Sequence, residues 1–369
     1  MASIFDHSKH IANKLFLFFL SPKNRIRSAY RRKVKRIIRE NPLCLIHSID
    51  KGYKKEILKF WNGIKISTEW HYLYSSVNGQ KDPKYIPEDL FYHTIEPNLN
   101  CYEFSSSYSD KNAYNMIFPD VNQPLTIIKN VNGFYYDGKD EILNLEEVQT
   151  LISKLSGDYF IKPSLQSGGG KNVQKITIAL GKIYQNNKPI SFADIGSVFK
   201  KDFLIQEKLA QSKLLSQFHP DSLNTIRLST FRKGDDFVLL SAVVRFGQGG
   251  KAVDNQKSGG VACGITDDGT LNKFATDMNG NVFFEHPSTG IRFEGFKIPN
   301  YEYIKTFVKN LHAKLAYFKM VSWDIALDPD NNPVLIEINL KGQGINLHQY
   351  NNGPLFGNLT NYIIKSTLI

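Results

Sequence analysis

The chain has 369 residues, of which 41% are hydrophobic, so it can bury a large core spread over two or three domains. Its formal net charge is +11, but residues 1–40 hold eleven Lys or Arg against two acids, which leaves only +2 for the rest of the chain. The basic character belongs to the N-terminal segment, and no nucleic-acid partner is predicted because no basic patch with interleaved aromatics continues into the body.

The cysteines and the early apolar run bear on cellular location. Cys44, Cys101 and Cys263 are odd in number and far apart, which argues for a reducing compartment and against a disulfide framework or a zinc site. The run "LFLFFL" at 15–20 is far shorter than the ~20 residues of a membrane span and lacks a small-residue cleavage site. The sequence therefore predicts a cytoplasmic protein without a signal peptide or a transmembrane helix.

Residues 1–40 form a basic N-terminal segment. The stretch "KNRIRSAYRRKVKRIIRE" at 23–40 has a helical period, with Lys and Arg on the other faces. Its apolar positions are Ile26, Tyr30, Val34, Ile37 and Ile38, and they follow an aromatic patch of Phe16, Phe18 and Phe19. This pattern predicts an amphipathic helix that binds an anionic membrane surface at the inner face of the cell membrane. The alternative is a helix packed on the body with a solvated basic face.

The body is predicted to contain an N-terminal domain over 41–157, a lid over 158–209 and a C-terminal domain over 210–369. Residues 109–128 predict a short helix, a turn and a strand, and 144–157 predict a helix with an acidic first turn and a glycine stop. Later strands are predicted in "DYFIKPS", "VQKITIAL", "KIYQ", "KDFLIQEKLA", "NTIRLSTFR" and "DFVLLSAVVRFG". A helix is predicted over 300–318, before a closing hairpin.

A glycine run between two predicted strands has the composition of an anion-binding loop. Lys162 alternates with the apolar residues of its strand, and the loop from Ser167 to Gly170 is almost free of side chains, so that its N–H groups can close over phosphate oxygens. A P-loop is excluded because Leu165 and Asn172 stand where glycine and Ser or Thr are required. A dinucleotide fingerprint fails at Val173, and strand-like sequence follows where a helix is needed.

Two carboxylates and an amide fall in the predicted closing hairpin, "SWDIALDPDNNPVLIEIN". If Leu327 pairs with Val334 across the turn, Asp324 lies opposite Glu337, and Asn339 shares their face. That face would also carry Ala326 and Leu335, and the opposite face Trp323, Ile325, Leu327, Val334, Ile336 and Ile338. Opposed carboxylates on a covered surface repel unless a cation lies between them, and oxygen-only ligands suit Mg²⁺. The alternative is an ordinary hairpin whose polar face meets water.

Taken in chain order, these motifs resemble the ATP-grasp superfamily. The matching residues are Asp110-Lys111, Lys162-Pro163 before the loop Ser167, Gly168, Gly169, Gly170, the "QEKL" strand end at 206–209, and Asp324 with Glu337 and Asn339. Within the superfamily, "HPDSLNTIRLST", "VVRFGQGGKAVDNQKSGG" and the closing hairpin resemble the sugar-transfer-associated ATP-grasp proteins over residues 90–355. The resemblance implies an α+β ATP-grasp fold: an N-terminal α/β domain, a small glycine-loop lid and a larger C-terminal domain with an antiparallel sheet.

The resemblance also implies roles for individual residues. Asp324, Glu337 and Asn339 match magnesium ligands, with two ions expected and Mn²⁺ as an alternative metal. Lys111 and Lys162 match the lysines that contact the ATP phosphates. The hinge that borders adenine is matched by Gln206, Glu207, Lys208 and Leu209.

Further roles are expected for the arginines and the loops. Arg227 and Arg245 match arginines that face the γ-phosphate, although each could instead pair with a structural carboxylate. His219 and Asp221 are the candidates for the ribose contact. The loops that follow are expected to shape the substrate pocket through Asp254, Asn255, Lys341, Gln343 and His348.

The resemblance implies an ATP- and Mg²⁺-dependent carboxylate–amine ligase that acts through an acyl phosphate. It would join an amino acid or another amine or acid to a sugar during synthesis of a capsule, O-antigen or cell-wall glycan. One alternative is a kinase or transferase acting on a glycan. The other is a non-catalytic nucleotide-binding component of a polysaccharide assembly complex.

Overall fold

The computed structural model describes residues 22–165, 172–249 and 259–369. Within these ranges the chain divides into two compact units. The first contains residues 22–101, 276–282 and 344–369, and the second contains the described parts of 102–275 and 283–343. These units are drawn differently from the domains expected from the sequence, whose boundaries at 41, 158 and 210 stay a prediction.

The described helices are, in chain order, α1 (Pro22–Glu40), α2 (Lys51–Trp61), α3 (Glu69–Asn78), α4 (Glu88–Leu90), α5 (Glu96–Leu99), α6 (Ser105–Ser109), α7 (Tyr114–Ile117), α8 (Leu145–Ser153), α9 (Phe192–Phe199), α10 (Lys213–Ser216), α11 (Tyr301–His312), α12 (Ile345–Asn352) and α13 (Thr360–Leu368). A π-helical turn joins α4 to α5 at Phe91–Ile95. Short 3₁₀ helices lie at Pro42–Ile49, Tyr102–Phe104, Lys111–Ala113 and Gly357–Leu359.

The described strands are β1 (Thr126–Val131), β2 (Phe134–Asp137), β3 (Ile142–Leu143), β4 (Gly157–Pro163), β5 (Gln174–Ala179), β6 (Lys182–Gln185), β7 (Lys188–Ile190), β8 (Phe203–Glu207), β9 (Thr225–Lys233), β10 (Asp236–Phe246), β11 (Val261–Ile265), β12 (Leu271–Thr276), β13 (Val282–Phe283), β14 (Met320–Leu327) and β15 (Pro333–Asn339). Most of the predicted strands and helices fall within one or two residues of these bounds.

The described strands form two sheets. The first has the order β3-β2-β1-β8-β4-β5-β6-β7 and is antiparallel throughout. The second has the order β13-β12-β11-β10-β9-β14-β15, and its pairs from β11 to β15 are antiparallel. The predicted α+β class with antiparallel sheets is therefore confirmed.

Each sheet buries one face against helices of the second unit. In the first sheet, Ile161 and Phe203 lie in one apolar cluster with Val148 and Ile152 of α8, a helix that begins with a capping box at Asn144. In the second sheet, the apolar side of α11 belongs to a cluster that includes Trp323. These clusters hold the strands in register and so fix the side chains that project from their other faces.

The helix predicted over 300–318 is shorter than expected. It ends at His312, and the next residues form tight turns in which Leu315 bonds back to His312 and Phe318 to Leu315. The buried His312 ring contacts Thr230 Oγ1 at 2.8 Å and the Phe318 carbonyl at 2.9 Å. Leu315 and Phe318 are buried although they lie in turns. Their spacing continues the apolar pattern of the helix, and for this reason the sequence predicted a helix that was too long.

The predicted N-terminal helix forms, and its apolar stripe packs against the first unit. Val34 and Ile37 are 0% and 1% exposed and share a cluster with Trp70 and Tyr74. The packed alternative therefore describes Val34 and Ile37, and binding of residues 1–40 to a membrane surface stays a prediction. The aromatic patch at Phe16–Phe19 lies outside the described residues. No helix within the described ranges is long and apolar enough to cross a bilayer.

Buried acids hold α1 in place. Lys33 Nζ donates to both carboxylate oxygens of Glu88 at 2.8 Å, and Arg31 Nε donates to Asp89 at 2.9 Å. Arg27 lies 3.5 Å from the same Asp89 oxygen. Since Glu88 and Asp89 are almost completely buried, these pairs neutralise charges that would be costly alone. Part of the basic charge of the N-terminal segment is therefore structural.

Replacing Lys33 with Met is expected to destabilise the protein by about 3 kcal/mol, because it leaves the Glu88 carboxylate buried without its cation. Chemical denaturation measures the loss. The double variant Lys33→Met/Glu88→Gln should recover part of the stability, and Lys35→Met, at an exposed position of the same helix, should change it little. Equal effects at Lys33 and Lys35 would contradict a structural role for the pair.

Candidate active site

The closing hairpin has the predicted juxtaposition but reaches it by a different register. Asp324 pairs with Glu337, and Ser322 pairs with Asn339. Leu327, however, pairs with Pro333 rather than Val334, and a β-bulge between Asp324 and Ile325 restores the alignment. The predicted pairing of Leu327 with Val334 was wrong by one residue, and the bulge compensates for it.

The bulge also changes which side chains face the core. Leu335 pairs with Ile325 and lies with it in the hydrophobic core, whereas Val334 pairs with Ala326 on the other face. The predicted faces of Val334 and Leu335 were therefore wrong, and Ile336 is the residue that the strand pairing skips. Glu337 lies opposite Asp324 as predicted. Strict alternation from the turn could not reveal the extra residue, because a bulge leaves no clear composition signal here.

A third strand extends the row of charged residues. Arg227 on β9 pairs directly with Asp324, so it lies beside that carboxylate on the same face. Its Nε donates to Asp324 Oδ1 at 2.7 Å, and its Nη2 donates to Oδ2, which makes the pair bidentate. Arg245 on β10 lies 3.2 Å from Oδ2 and also donates to Thr225 Oγ1. Asp324 is thus held by two guanidinium groups.

The charge state of Asp324 follows from these contacts. Asp324 is 2% exposed, and burial alone would favour the neutral acid. The two guanidinium groups outweigh burial and hold the pKa of Asp324 below its usual range. The side chain is therefore a buried, ionised carboxylate.

Lys111 binds the second carboxylate. Its Nζ donates to Glu337 Oε1 at 2.9 Å, and its side chain is almost fully buried. Two contacts fix the start of the 3₁₀ helix that carries Lys111: Asp110 caps the helix, and the Lys111 N–H donates to the carbonyl of Ser164 just after β4. This contact ties Lys111 to the strand that carries Lys162.

Lys162 projects from β4 into the same electrostatic environment. The described residues offer its ammonium neither a hydrogen-bond partner nor an ion-pair partner. Burial, together with the nearby charge of Lys111, lowers the pKa of Lys162 to about 7, although Glu337 offsets part of the shift. An ammonium in this position favours an incoming anion.

Four cationic side chains surround two carboxylates in this cluster. Asp324 and Glu337 are accompanied by Arg227, Arg245, Lys111 and Lys162. With every group ionised the cluster carries a net positive charge, which suits a polyanion better than a bare divalent cation.

The donor set can still hold magnesium. The two carboxylates and the Asn339 amide offer hard oxygen ligands of the type that Mg²⁺ prefers together with substrate phosphates. The Asn339 amide nitrogen donates to Asp324 Oδ2 at 3.4 Å, which places this amide beside the carboxylate. These residues could bind Mg²⁺ once Arg227 and Arg245 release the Asp324 carboxylate.

The family model for sugar-transfer-associated ATP-grasp proteins matches residues 91–363, about three quarters of the chain. The chain belongs to this ATP-grasp family. Comparison with curated proteins gives no match.

Solved structures with a similar fold include three ligases. D-alanyl-alanine synthetase A from Vibrio cholerae O1 biovar eltor has 10% identity and a TM-score of 0.42, with 73% of this chain and 68% of that chain covered. L-amino acid ligase from Bacillus licheniformis has 14% identity and a TM-score of 0.38, with 71% and 48% covered. The ATP-grasp ligase PsnB with minimal precursor, Mg and ADP has 12% identity and a TM-score of 0.40, with 73% and 61% covered. The chain spans about half to two thirds of these proteins.

The ATP-grasp hinge predicted at 206–209 has a defined hydrogen-bond pattern. The Gln206 side chain is buried and donates to Thr126 Oγ1 at 2.9 Å, so it supports β1. The N–H groups of Glu207 and Lys208 donate to the carbonyls of Leu125 and Asp158. Any purine contact at this hinge must therefore use other groups, such as carbonyls or the side chains of Glu207 and Leu209.

The remaining predicted residues lie in varied environments. Asp221 is exposed, whereas His219 is buried with its ring nitrogens facing Ser222 Oγ and the Gly249 carbonyl. A Cβ at Gly247 would collide with that Ser222 hydroxyl, so glycine is required by close packing. The loop Ser167–Gly170, together with Asp254 and Asn255, lies outside the described residues.

The predicted substrate residues after β15 differ in exposure and in their contacts. Gln343 is buried, accepts from Ser322 Oγ at 2.9 Å and donates to the Met320 carbonyl, which is a structural role. Lys341 is exposed and lies 4.7 Å from the Tyr102 ring centroid. His348 is buried in α12 and belongs to the first compact unit.

Two residues of the site were missed from the sequence. Tyr114 is buried near Glu337, and its hydroxyl accepts the Ile338 N–H at 2.9 Å. Burial and the Glu337 charge raise its pKa well above the usual value, so it stays neutral. Thr225 supports Arg245. Tyr114 could have been identified from the sequence, because it lies three residues after Lys111. Thr225 could not, because its contact with Arg245 depends on which strands pair.

The lowered pKa of Lys162 predicts a pH dependence of folding. The unfolded chain keeps this proton up to about pH 10.5, whereas the folded chain releases it near pH 7. Raising the pH from about 7 to about 9 should therefore favour the folded state by at most about 2 kcal/mol through this residue. Urea denaturation of the wild type and of Lys162→Met at both pH values measures the difference. Equal pH dependence in the two proteins would contradict the lowered pKa.

Proposed function

We propose that this ATP-grasp protein is an ATP- and Mg²⁺-dependent carboxylate–amine ligase that modifies a sugar during synthesis of a surface polysaccharide. Family membership supports an ATP-grasp enzyme. The observation that carries the proposal is the Lys162 ammonium, which lacks an anionic partner among the described residues and lies near the Lys111–Glu337 pair. A nucleotide phosphate would supply the missing negative charge.

Nucleotide binding is assigned to the cationic groups and the hinge. Lys111 and Lys162 would contact the phosphates, with the loop Ser167–Gly170 closing over them. Residues 206–209 would border the adenine, and Asp221 is the candidate for the ribose. Because phosphate raises the stability of the protonated amine, Lys162 would take up a proton when nucleotide binds near neutral pH.

The metal is assigned to Asp324, Glu337 and Asn339, which would hold two Mg²⁺ ions or Mn²⁺ together with the phosphates. When bound, the ions supply charge neutralisation at the oxygens of the transferring phosphoryl group. Arg227 and Arg245 would turn from Asp324 toward the γ-phosphoryl group, where their guanidinium groups would stabilise negative charge. The same arginines thus keep Asp324 ionised before the substrate binds.

The reaction is proposed to proceed in two steps, phosphoryl transfer and then amide formation. An oxygen of the substrate carboxylate attacks the γ-phosphorus of ATP, the bond to the β-phosphate oxygen breaks, and an acyl phosphate and ADP form. The nitrogen of a neutral amine then attacks the acyl carbon, phosphate leaves with the bonding electrons, and the nitrogen loses a proton. The products are an amide, ADP and phosphate.

One substrate is proposed to be a uronic acid or an amino sugar, and the other an amino acid. Asn255, Lys341, Gln343 and His348 were the sequence candidates for this pocket. The buried contacts of Gln343 leave Lys341 as the exposed candidate among the described residues of that loop. Lys341 could attract a sugar carboxylate. If the sugar is carried on a lipid, the reaction would take place at the cytoplasmic face of the membrane.

Activity is tested by Mg²⁺-dependent ADP release in a screen of sugar and amino-acid pairs, with mass spectrometry of the products. We expect release to require both an acid and an amine. Glu337→Ala and Lys162→Met should each reduce it by at least roughly a hundredfold. Glu302→Ala, at an exposed site on α11, is the control and should retain activity. A product that carries phosphate on the glycan would instead identify a kinase.

Metal binding should depend on nucleotide, because the cluster is positively charged until phosphates arrive. Titration calorimetry should find Mg²⁺ binding about tenfold or more tighter when ADP is bound to the protein than when it is absent. The separate affinity of free ADP for Mg²⁺ is measured and subtracted. Equal affinity with and without nucleotide would contradict the role assigned to the arginines.

A further inference from the structure

An apolar ridge stands on the surface of the first unit. The 3₁₀ helix Pro42–Ile49 has about three residues per turn, so residues three apart lie on one side of it. Leu43, Ile46 and Ile49 have this spacing and are 70%, 56% and 82% exposed. Cys44 of the same helix is buried. The helix therefore packs by one side and presents three aliphatic side chains to solvent on another.

The helices before and after the ridge have basic exposed faces. On α1 the exposed positions Arg32, Lys35, Arg36 and Arg39 follow the spacing of one helix face. On α2 the same spacing holds for Lys51, Lys54, Lys55 and Lys59, with Leu58 among them at 53% exposure. Both helices contact the 3₁₀ helix. The ridge is therefore flanked by basic side chains on both sides along the chain.

The exposed charge along residues 25–60 is mostly positive. Between residues 25 and 60, nine exposed side chains are Lys or Arg, whereas Glu40 and Glu56 are the exposed acids. Arg27, Arg31 and Lys33 do not contribute to it because they pair with the buried Asp89 and Glu88. The basic residues of α1 are thus divided between structural pairs and an exposed set.

We propose that this surface binds the anionic headgroup region of a phospholipid bilayer, with the ridge inserted and the basic faces against the lipid phosphates. Aliphatic insertion and attraction to anionic lipids reinforce one another in such surfaces. The surface differs from the buried apolar stripe of α1 and does not depend on the proposed ligase reaction.

A bilayer fits better than the other anionic partners. Single-stranded nucleic acid is bound by basic residues together with stacking aromatic rings, whereas the exposed apolar residues of the ridge are aliphatic. An acidic protein needs a shaped complement to three projecting side chains. A fluid acyl boundary accepts a convex ridge without such a complement, because its chains rearrange around it.

The test is co-sedimentation of the full chain with vesicles. Wild type is expected to bind vesicles of equimolar phosphatidylglycerol and phosphatidylcholine and to bind phosphatidylcholine alone at least about tenfold more weakly. The variant Leu43→Ser/Ile46→Ser/Ile49→Ser should lose at least about tenfold in affinity for the anionic vesicles. Arg32→Gln/Lys35→Gln/Arg39→Gln should lose a similar factor, and less at high salt.

Matched controls separate this surface from general stickiness. Leu180→Ser/Val198→Ser removes two exposed aliphatic side chains of the second unit, at 98% and 61% exposure, and should bind like wild type. Thermal melting and ADP release with soluble substrates should be unchanged in the ridge variant, which distinguishes its effect from misfolding and from loss of the proposed activity. Wild type that fails to bind anionic vesicles, or a ridge variant that binds as wild type does, would overturn the proposal.

Discussion

The buried Asp324 carboxylate and its two guanidinium partners form the interaction on which the candidate site depends. A carboxylate at this depth is tolerated only if cations offset its desolvation, and Arg227 does so by direct cross-strand pairing. The pair fixes the side chains of β9 and β14, and the next strand then places Glu337 beside them. The order β10-β9-β14-β15 therefore acts as the frame of the site.

This frame brings together more cationic than anionic side chains. Arginine and lysine hold both carboxylates, and Lys162 adds a further positive charge without a described partner. Such a cluster is not balanced by its own residues. Binding of a phosphate would correct the imbalance, and it would also free the carboxylates for a metal. Nucleotide and metal are therefore expected to bind as one unit in this ATP-grasp protein.

The same physical rule explains the N-terminal helix. Its basic residues are divided by helix face: Arg31 and Lys33 meet buried acids, whereas Arg32 and Arg36 remain exposed. Net charge alone could not separate the two sets, because it counts a structural pair and a solvated side chain equally. The exposed basic residues support membrane binding only in combination with the aliphatic ridge of the 3₁₀ helix.

The sequence by itself placed Asp324 opposite Glu337, although by a pairing one residue away from the observed register. It determined most element positions and the order of the motifs, whose family resemblance implies the α+β class. These features follow from local periodicity, turn residues and the order of motifs, all of which can be read along the chain. The β-bulge, the contact of Arg227 with Asp324, the role of Tyr114 and the burial of Gln343 were decided by the tertiary structure. Each depends on which strands or helices become neighbours, and residues 97 positions apart, such as Arg227 and Asp324, carry no local signal of their pairing.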